Sequence, residues 1–114
     1  MIKLEAIIKP FKLEAVRDAL AKLGVDGMTA TEVKGCGRKA GYSDIQHGTE
    51  YTISFLPKIK IELVIPDLVV EAAIAAVIKA AKTGKSGDGK IFVTPILNAI
   101  RIRTAESGEQ AVAA

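Results

Sequence analysis

Tryptophan is absent from this chain, and only three phenylalanines and two tyrosines stand among its 114 residues. A nucleic-acid platform stacks bases on aromatic side chains beside a basic groove, so this composition argues against one. The formal charge of +3, from 16 Lys+Arg against 13 Asp+Glu, is too small an excess to imply nucleic acid by itself. With Cys36 as the one cysteine, no internal disulfide can form, which fits a reducing, cytoplasmic compartment. One histidine, His47, beside one cysteine does not make the clustered ligands of a metal site. The longest apolar stretch, around Ala72–Ile78, is far short of the ~20 residues of a membrane span. Lys3 and Glu5 break the first apolar run, so no secretion signal and no membrane insertion are expected. No paired carboxylates and no Ser/His arrangement mark a catalytic centre.

What is present is aliphatic: 49% of the residues are hydrophobic, enough for one domain over residues 1–114. A chain of this size buries only about two-thirds of its unfolded surface, so completion by association is expected. Ile2–Ile8 alternates at period two and predicts a strand. Leu13, Val16, Leu20 and Leu23 recur at helical spacing, and Gly24 is the expected stop. Met28–Lys34 predicts a second strand. From Gly35 to Tyr51 no period survives, so a long functional or disordered loop is expected. Lys58–Ile65 alternates again, and Asp67 is the expected N-cap of a helix from Leu68 to about Lys82. A strand over Lys90–Leu97 follows, with a short fifth strand over Asn98–Arg103 and a mobile tail from Ala105. The order is βαββαβ, the ferredoxin-like α+β arrangement, with an antiparallel sheet and both helices on one face. Apolar residues left on the other face suggest a partner subunit there.

Residues 83–90 read TGKSGDGK and contain Gly84-x-x-x-x-Gly89-Lys90, close to a phosphate loop of the Walker A kind. That loop runs from strand into helix and ends on a Ser or Thr that holds Mg²⁺. Here a helix precedes, a β-branched run follows, and Ile91 takes the hydroxyl's place. Two readings stay open: an ordinary helix–strand connection, or a nest of backbone N–H groups for an anion. Lys85 and Lys90 add positive charge, and Asp88 can pin the turn. The alternation Ile100-Arg101-Ile102-Arg103 would put two guanidiniums on one strand face, suited to polyphosphate. Gly35-Cys36-Gly37-Arg38 forms another glycine-and-base cluster. The three elements could meet across a cleft between subunits.

Together these residues resemble the PII nitrogen-regulatory signalling proteins from Met1 to Thr104. KLEAIIKPFKLEAVRDAL is similar to the family's opening, TEVKGCGR and GTEYTISFLPKIKIELV to the runs into and out of its T-loop. TGKSGDGKIFV resembles the B-loop and IRIRT the closing nucleotide clamp. The resemblance implies a homotrimer with ATP or ADP in the clefts between subunits, acting as an enzyme regulator without catalysis. The flexible T-loop, 37–55 here, would bind or release a target enzyme or membrane transporter of nitrogen and carbon metabolism according to the nucleotide. On the matching positions, Gly87, Asp88, Gly89 and Lys90 would hold phosphate, with Arg101 and Arg103 reaching in from the neighbouring chain. Gly35, Gly37 and Arg38 would contribute from the loop base, Thr29 and Val64 would border the adenine, and Lys58 would face the phosphate and effector side. Tyr51 matches a tyrosine that some relatives have uridylylated.

Three positions depart from the pattern. Lys39 stands where a glutamine usually coordinates the Mg²⁺ bridging ATP and 2-oxoglutarate. A protonated ammonium has no lone pair for a metal, which argues against Mg²⁺ and 2-oxoglutarate by the usual route. Its charge could instead rest on the phosphates, giving a divergent variant with altered effector response; a weak ATPase is the other alternative. His47 replaces the arginine of channel-blocking relatives and lacks its long fixed charge. Cys36 takes a bulky apolar position and is expected as a small packed hydrophobe rather than a redox sensor.

Overall fold

The computed structural model describes residues 1–38 and 53–112, with side chains described for 1–36 and 55–112. Strand β1 (Ile2–Ile8) leads through a 3₁₀ turn at Pro10–Lys12 into helix α1 (Leu13–Ala21). Strands β2 (Thr29–Arg38) and β3 (Ile53–Ile65) form a hairpin; helix α2 (Val70–Ala81), strand β4 (Lys90–Pro95) and a helical turn α3 (Glu109–Val112) complete the chain. The sheet order is β2-β3-β1-β4, antiparallel throughout. This is the expected ferredoxin-like arrangement.

Period-two alternation decides which face is dry. Leu4, Ala6 and Ile8 of β1 and Ile59, Ile61, Leu63 and Ile65 of β3 are buried. They meet Val16 and Leu20 of α1 and Ala73, Val77 and Ala81 of α2, so both helices cover one face. The opposite face is banded rather than uniformly apolar. Glu5 and Glu62 stand directly opposite each other, and such like charges repel. Lys3 offsets them, 2.9 Å from Glu62 and 3.8 Å from Glu5, and Lys60 lies 3.6 Å from Glu62. Ile7, Val64 and Phe92 flank this ionic belt.

Local chemistry explains the boundaries. After α1 the Val25 N–H reaches the Leu20 carbonyl and the Gly24 N–H the Ala21 carbonyl. Gly24 sits at φ +81°, so this is a Schellman stop with Val25 folded back on Leu20. Asp67 is not the expected N-cap: the extended residue before the turn is Pro66, and Asp67 instead pairs with the Met1 amine at 2.9 Å. The hairpin is longer than its alternation implied. Glycines 35 and 37 continue the ladder, and Pro57 is tolerated opposite Lys34 because β1 pairs with β3 only from Ile59 onward. Cys36 is therefore exposed, not packed: it lies opposite Phe55, where the hairpin projects past the helices.

The expected fifth strand is also corrected. β4 stops at Pro95, and a single bridge joins Ile100 to Ser107. Arg101 donates its N–H to the Glu106 carbonyl and accepts from the Ala105 N–H, both at 2.8 Å. Asn98 Oδ1 accepts from the Gly108 N–H, and Ala105 adopts φ +60°. These contacts fold 98–108 into a tight reversal, so Arg101 and Arg103 do not share a strand face. The expected tail begins inside this reversal, and its residues 109–112 form α3.

Candidate functional site

The glycine loop between α2 and β4 is built around one carboxylate. Asp88 Oδ2 accepts from the Thr83 N–H and the Gly84 N–H, each at 2.8 Å. Its Oδ1 accepts from the Thr83 hydroxyl and lies 3.2 Å from Lys9 Nζ. The Thr83 hydroxyl in turn accepts from Lys9 Nζ at 3.1 Å and from the Lys85 N–H at 3.2 Å. The Thr83 contacts, joined by Gly84 and Lys9, hold the Asp88 carboxyl well below the usual carboxylate range. It is an anion at any ordinary pH, and it is occupied within the loop.

Three turns of this loop need glycine: Gly84, Gly87 and Gly89 adopt φ +84°, +89° and +106°. Lys58, on the open face of β3, reaches across to donate to the Gly87 carbonyl at 2.5 Å. Its stem runs over Gly35, where a β-carbon would lie 3.1 Å from Lys58 Cγ. The loop is thus joined to the base of the β2–β3 hairpin. Lys90 opens β4 opposite Ile7. Lys9, Lys58 and Lys90 bring three ammonium groups to one end of the sheet, around a loop with exposed backbone.

The expected site residues fall into two groups. Gly35, Lys58, Gly87, Asp88, Gly89 and Lys90 converge at the glycine-loop end, and the backbone of Gly37 and Arg38 continues β2 from there. Thr29 and Val64 lie toward the other end; Thr29 pairs with Glu62, two residues from Val64 on the same face. Arg101 lines a cavity there with Val64, Ile65 and Val69. Its guanidinium lies 3.4 Å from Glu106 and donates to the Gln110 carbonyl at 3.2 Å. From Ile2 to Ile7 the strand rises about 16 Å at ~3.3 Å per residue. The structure does not bring Arg101 or Arg103 to the glycine loop of the same chain. Lys39, His47 and Tyr51 lie outside the described residues.

Lys9 and Thr83 went unseen in the sequence. A signal existed for Thr83, a hydroxyl five residues before Asp88 in a turn-rich run. Lys9 carried none, because it meets the loop only through β1–β4 pairing.

Fold and loop together define an open-faced α+β sheet domain with a braced, cation-rimmed glycine loop at one sheet end. Residues 1–106 match the model of the family "Nitrogen regulatory protein P-II". The chain is 55% identical to the nitrogen regulatory protein P-II of Cereibacter sphaeroides over 112 residues, covering 98% of this chain and all of that protein. It is 54% identical to nitrogen regulatory protein P-II 1 of Escherichia coli (strain K12) and 56% identical to the P-II protein of Rhodobacter capsulatus, with the same coverage. The chain belongs to the P-II nitrogen regulatory family, whose members are regulatory signalling proteins.

Among the described residues no cluster of His, Cys, Asp or Glu could hold a metal ion, and no helix is long and apolar enough to cross a membrane.

Proposed function

We propose that the chain is a cytoplasmic adenine-nucleotide sensor, acting as a homotrimer that controls a target enzyme or transporter through the loop joining β2 and β3. The observation that carries the reading is the glycine loop tied to Lys58. Phosphate arriving on the amides around Gly87 and Gly89 would meet the ammonium groups of Lys58 and Lys90. Along β3, the open face from Val64 to Lys58 spans about 20 Å at ~3.3 Å per residue. That length suits a nucleoside triphosphate lying on the sheet, adenine by Thr29 and Val64 and phosphates at the loop.

Because the chain's own Arg101 and Arg103 lie at the far end, a second subunit is the reasonable source of the two guanidiniums that would close the cleft. Gly37 and Arg38 would sense the phosphates and pass the difference between ATP and ADP into the loop beyond. A ligand shifts such a loop only by its differential affinity for the two loop states. Lys39, in place of the metal-binding glutamine, would lay its charge on the phosphates, so ATP would bind without help from Mg²⁺ or 2-oxoglutarate. No step of bond breaking is proposed; the role is regulation.

Isothermal titration of the full chain with ATP and ADP, each with and without Mg²⁺ and 2-oxoglutarate, tests this reading. One nucleotide per chain is expected, with little synergy from the two effectors, and sedimentation should give a trimer. A monomer, or no heat with either nucleotide, overturns the proposal. Strong Mg²⁺-dependent synergy overturns the role given to Lys39 alone.

A further inference from the structure

We infer that Lys9 is a positioning residue of the glycine loop: with Thr83 it holds and neutralises the Asp88 carboxylate, so that the loop's amides are arranged for an anion before one arrives. The inference rests on the nucleotide reading above, but the contacts behind it are internal to the chain. Pro10 restricts the residue before it to extended backbone, and Lys9 is extended at φ −66°, ψ 139°. Its ammonium, mostly shielded by the loop, then meets both Thr83 Oγ1 and Asp88 Oδ1.

Asp88 is the middle residue of Gly87-Asp88-Gly89. An uncompensated carboxylate there would repel phosphate from the amides beside it. Two features suppress the repulsion. Both oxygens are turned toward Thr83 and Gly84, Oδ2 accepting the two backbone N–H groups and Oδ1 the Thr83 hydroxyl, and the cation paired with them is Lys9, not a ligand. The hydroxyl of Thr83 completes the brace: it gives its one proton to Asp88 and accepts from Lys9 and from the Lys85 N–H. Lys9 comes from the end of β1, so it also locks the loop to the strand that pairs with β4.

A cation that merely touched phosphate would behave differently from one that neutralises Asp88, and the difference can be measured. Lys9→Met keeps the stem and removes the charge. It should weaken ATP and ADP by the same factor, about tenfold for one charge-assisted contact. In an Asp88→Asn background, where there is no carboxylate to neutralise, the same substitution should change affinity by less than about twofold. Equal losses in both backgrounds, or a loss confined to ATP, would overturn the inference and make Lys9 a direct phosphate contact. Amide hydrogen exchange of the ligand-free chain gives a second, nucleotide-independent readout. Lys9→Met should speed exchange at Thr83 and Gly84 about tenfold while the amides of β1 and β3 stay protected. Unchanged exchange at those two amides overturns the brace, as does faster exchange with unchanged affinity. If the unaltered chain takes up no nucleotide, the proposed function fails by itself, and the exchange experiment still decides whether Lys9 braces the loop.

Discussion

Gly89 lies flat against the backbone of Ile7: a β-carbon on it would overlap the Ile7 carbonyl oxygen and lie 2.8 Å from the carbonyl carbon. The obstacle is main chain in the central sheet, which cannot swing aside as a flexible side chain could. Gly89 also sits at φ +106°, outside the usual range of L side chains. Gly89→Ala should therefore cost about 3 kcal/mol or more in urea unfolding. Gly84→Ala is the control: φ is +84°, but nothing lies within 4 Å, so only backbone strain of about 1 kcal/mol is expected.

Gly35 makes a gentler prediction. Its missing β-carbon leaves room for the Lys58 stem, 3.1 Å away at Cγ and 3.5 Å at Cε. Alanine there should leave the fold intact but push Lys58 off the Gly87 carbonyl. ATP affinity should fall by about fivefold, the loss of one hydrogen bond from a charged group at a partly exposed site. Calorimetry checks it; an unchanged affinity would show that Lys58 has no part in setting the loop.

The pH behaviour follows from the Lys3–Glu62 ion pair and from the Asp88 carboxylate. The hydrogen bond from Lys3 lowers the Glu62 carboxyl, and the bond to Glu62 raises Lys3. A lowered carboxyl contributes stability above its unfolded value, about 4.3, and loses it as pH falls through the folded value. A raised lysine contributes below its unfolded value, about 10.4, and loses it as pH rises past the folded one. The pair's contribution should therefore be flat between these limits. Lys3→Met should move the Glu62 titration, followed by NMR, toward higher pH.

Asp88 should hold out further into acid. Its carboxyl is well below the usual range, so the loop's braced form persists as pH falls through 4 and is lost only beyond. Protection of the Thr83 and Gly84 amides at pH 4, absent in Asp88→Ala, is the expected result.

In the core, Leu20→Ala should cost about 2–5 kcal/mol, because the side chain is fully buried between helix and sheet. Leu68→Ala should stay within about 0.5 kcal/mol, because Leu68 is almost wholly exposed despite its hydrophobicity. Chemical denaturation of both variants checks the contrast.

The four strands and two helices were legible in the chain because their signals are local. Alternation over Ile2–Ile8 and Lys58–Ile65, helical spacing from Leu13 to Leu23 and the stop at Gly24 need no distant partner. The errors arose where distant partners decide. Ile100–Arg103 alternates like a strand, yet the Arg101 N–H donated to the Glu106 carbonyl, and the Gly108 N–H donated to Asn98 Oδ1 and the Ala99 carbonyl, reverse the chain. Asp67 has a capping residue's chemistry, but the Met1 amine claims it. Cys36 takes a bulky apolar position in the family pattern, which implies packing, but the hairpin carries it beyond the helices.

The site divides the same way. Backbone conformation belongs to sequence: three glycines in six residues make the left-handed turns of the loop, and Pro10 makes Lys9 extended. What faces the loop does not, because side chains 74 residues apart, such as Lys9 and Thr83, meet only once the helix α2 returns its C-terminal end to the end of β1. Local torsional preference thus settled where the chain turns, while strand pairing in three dimensions settled which charges stand at those turns.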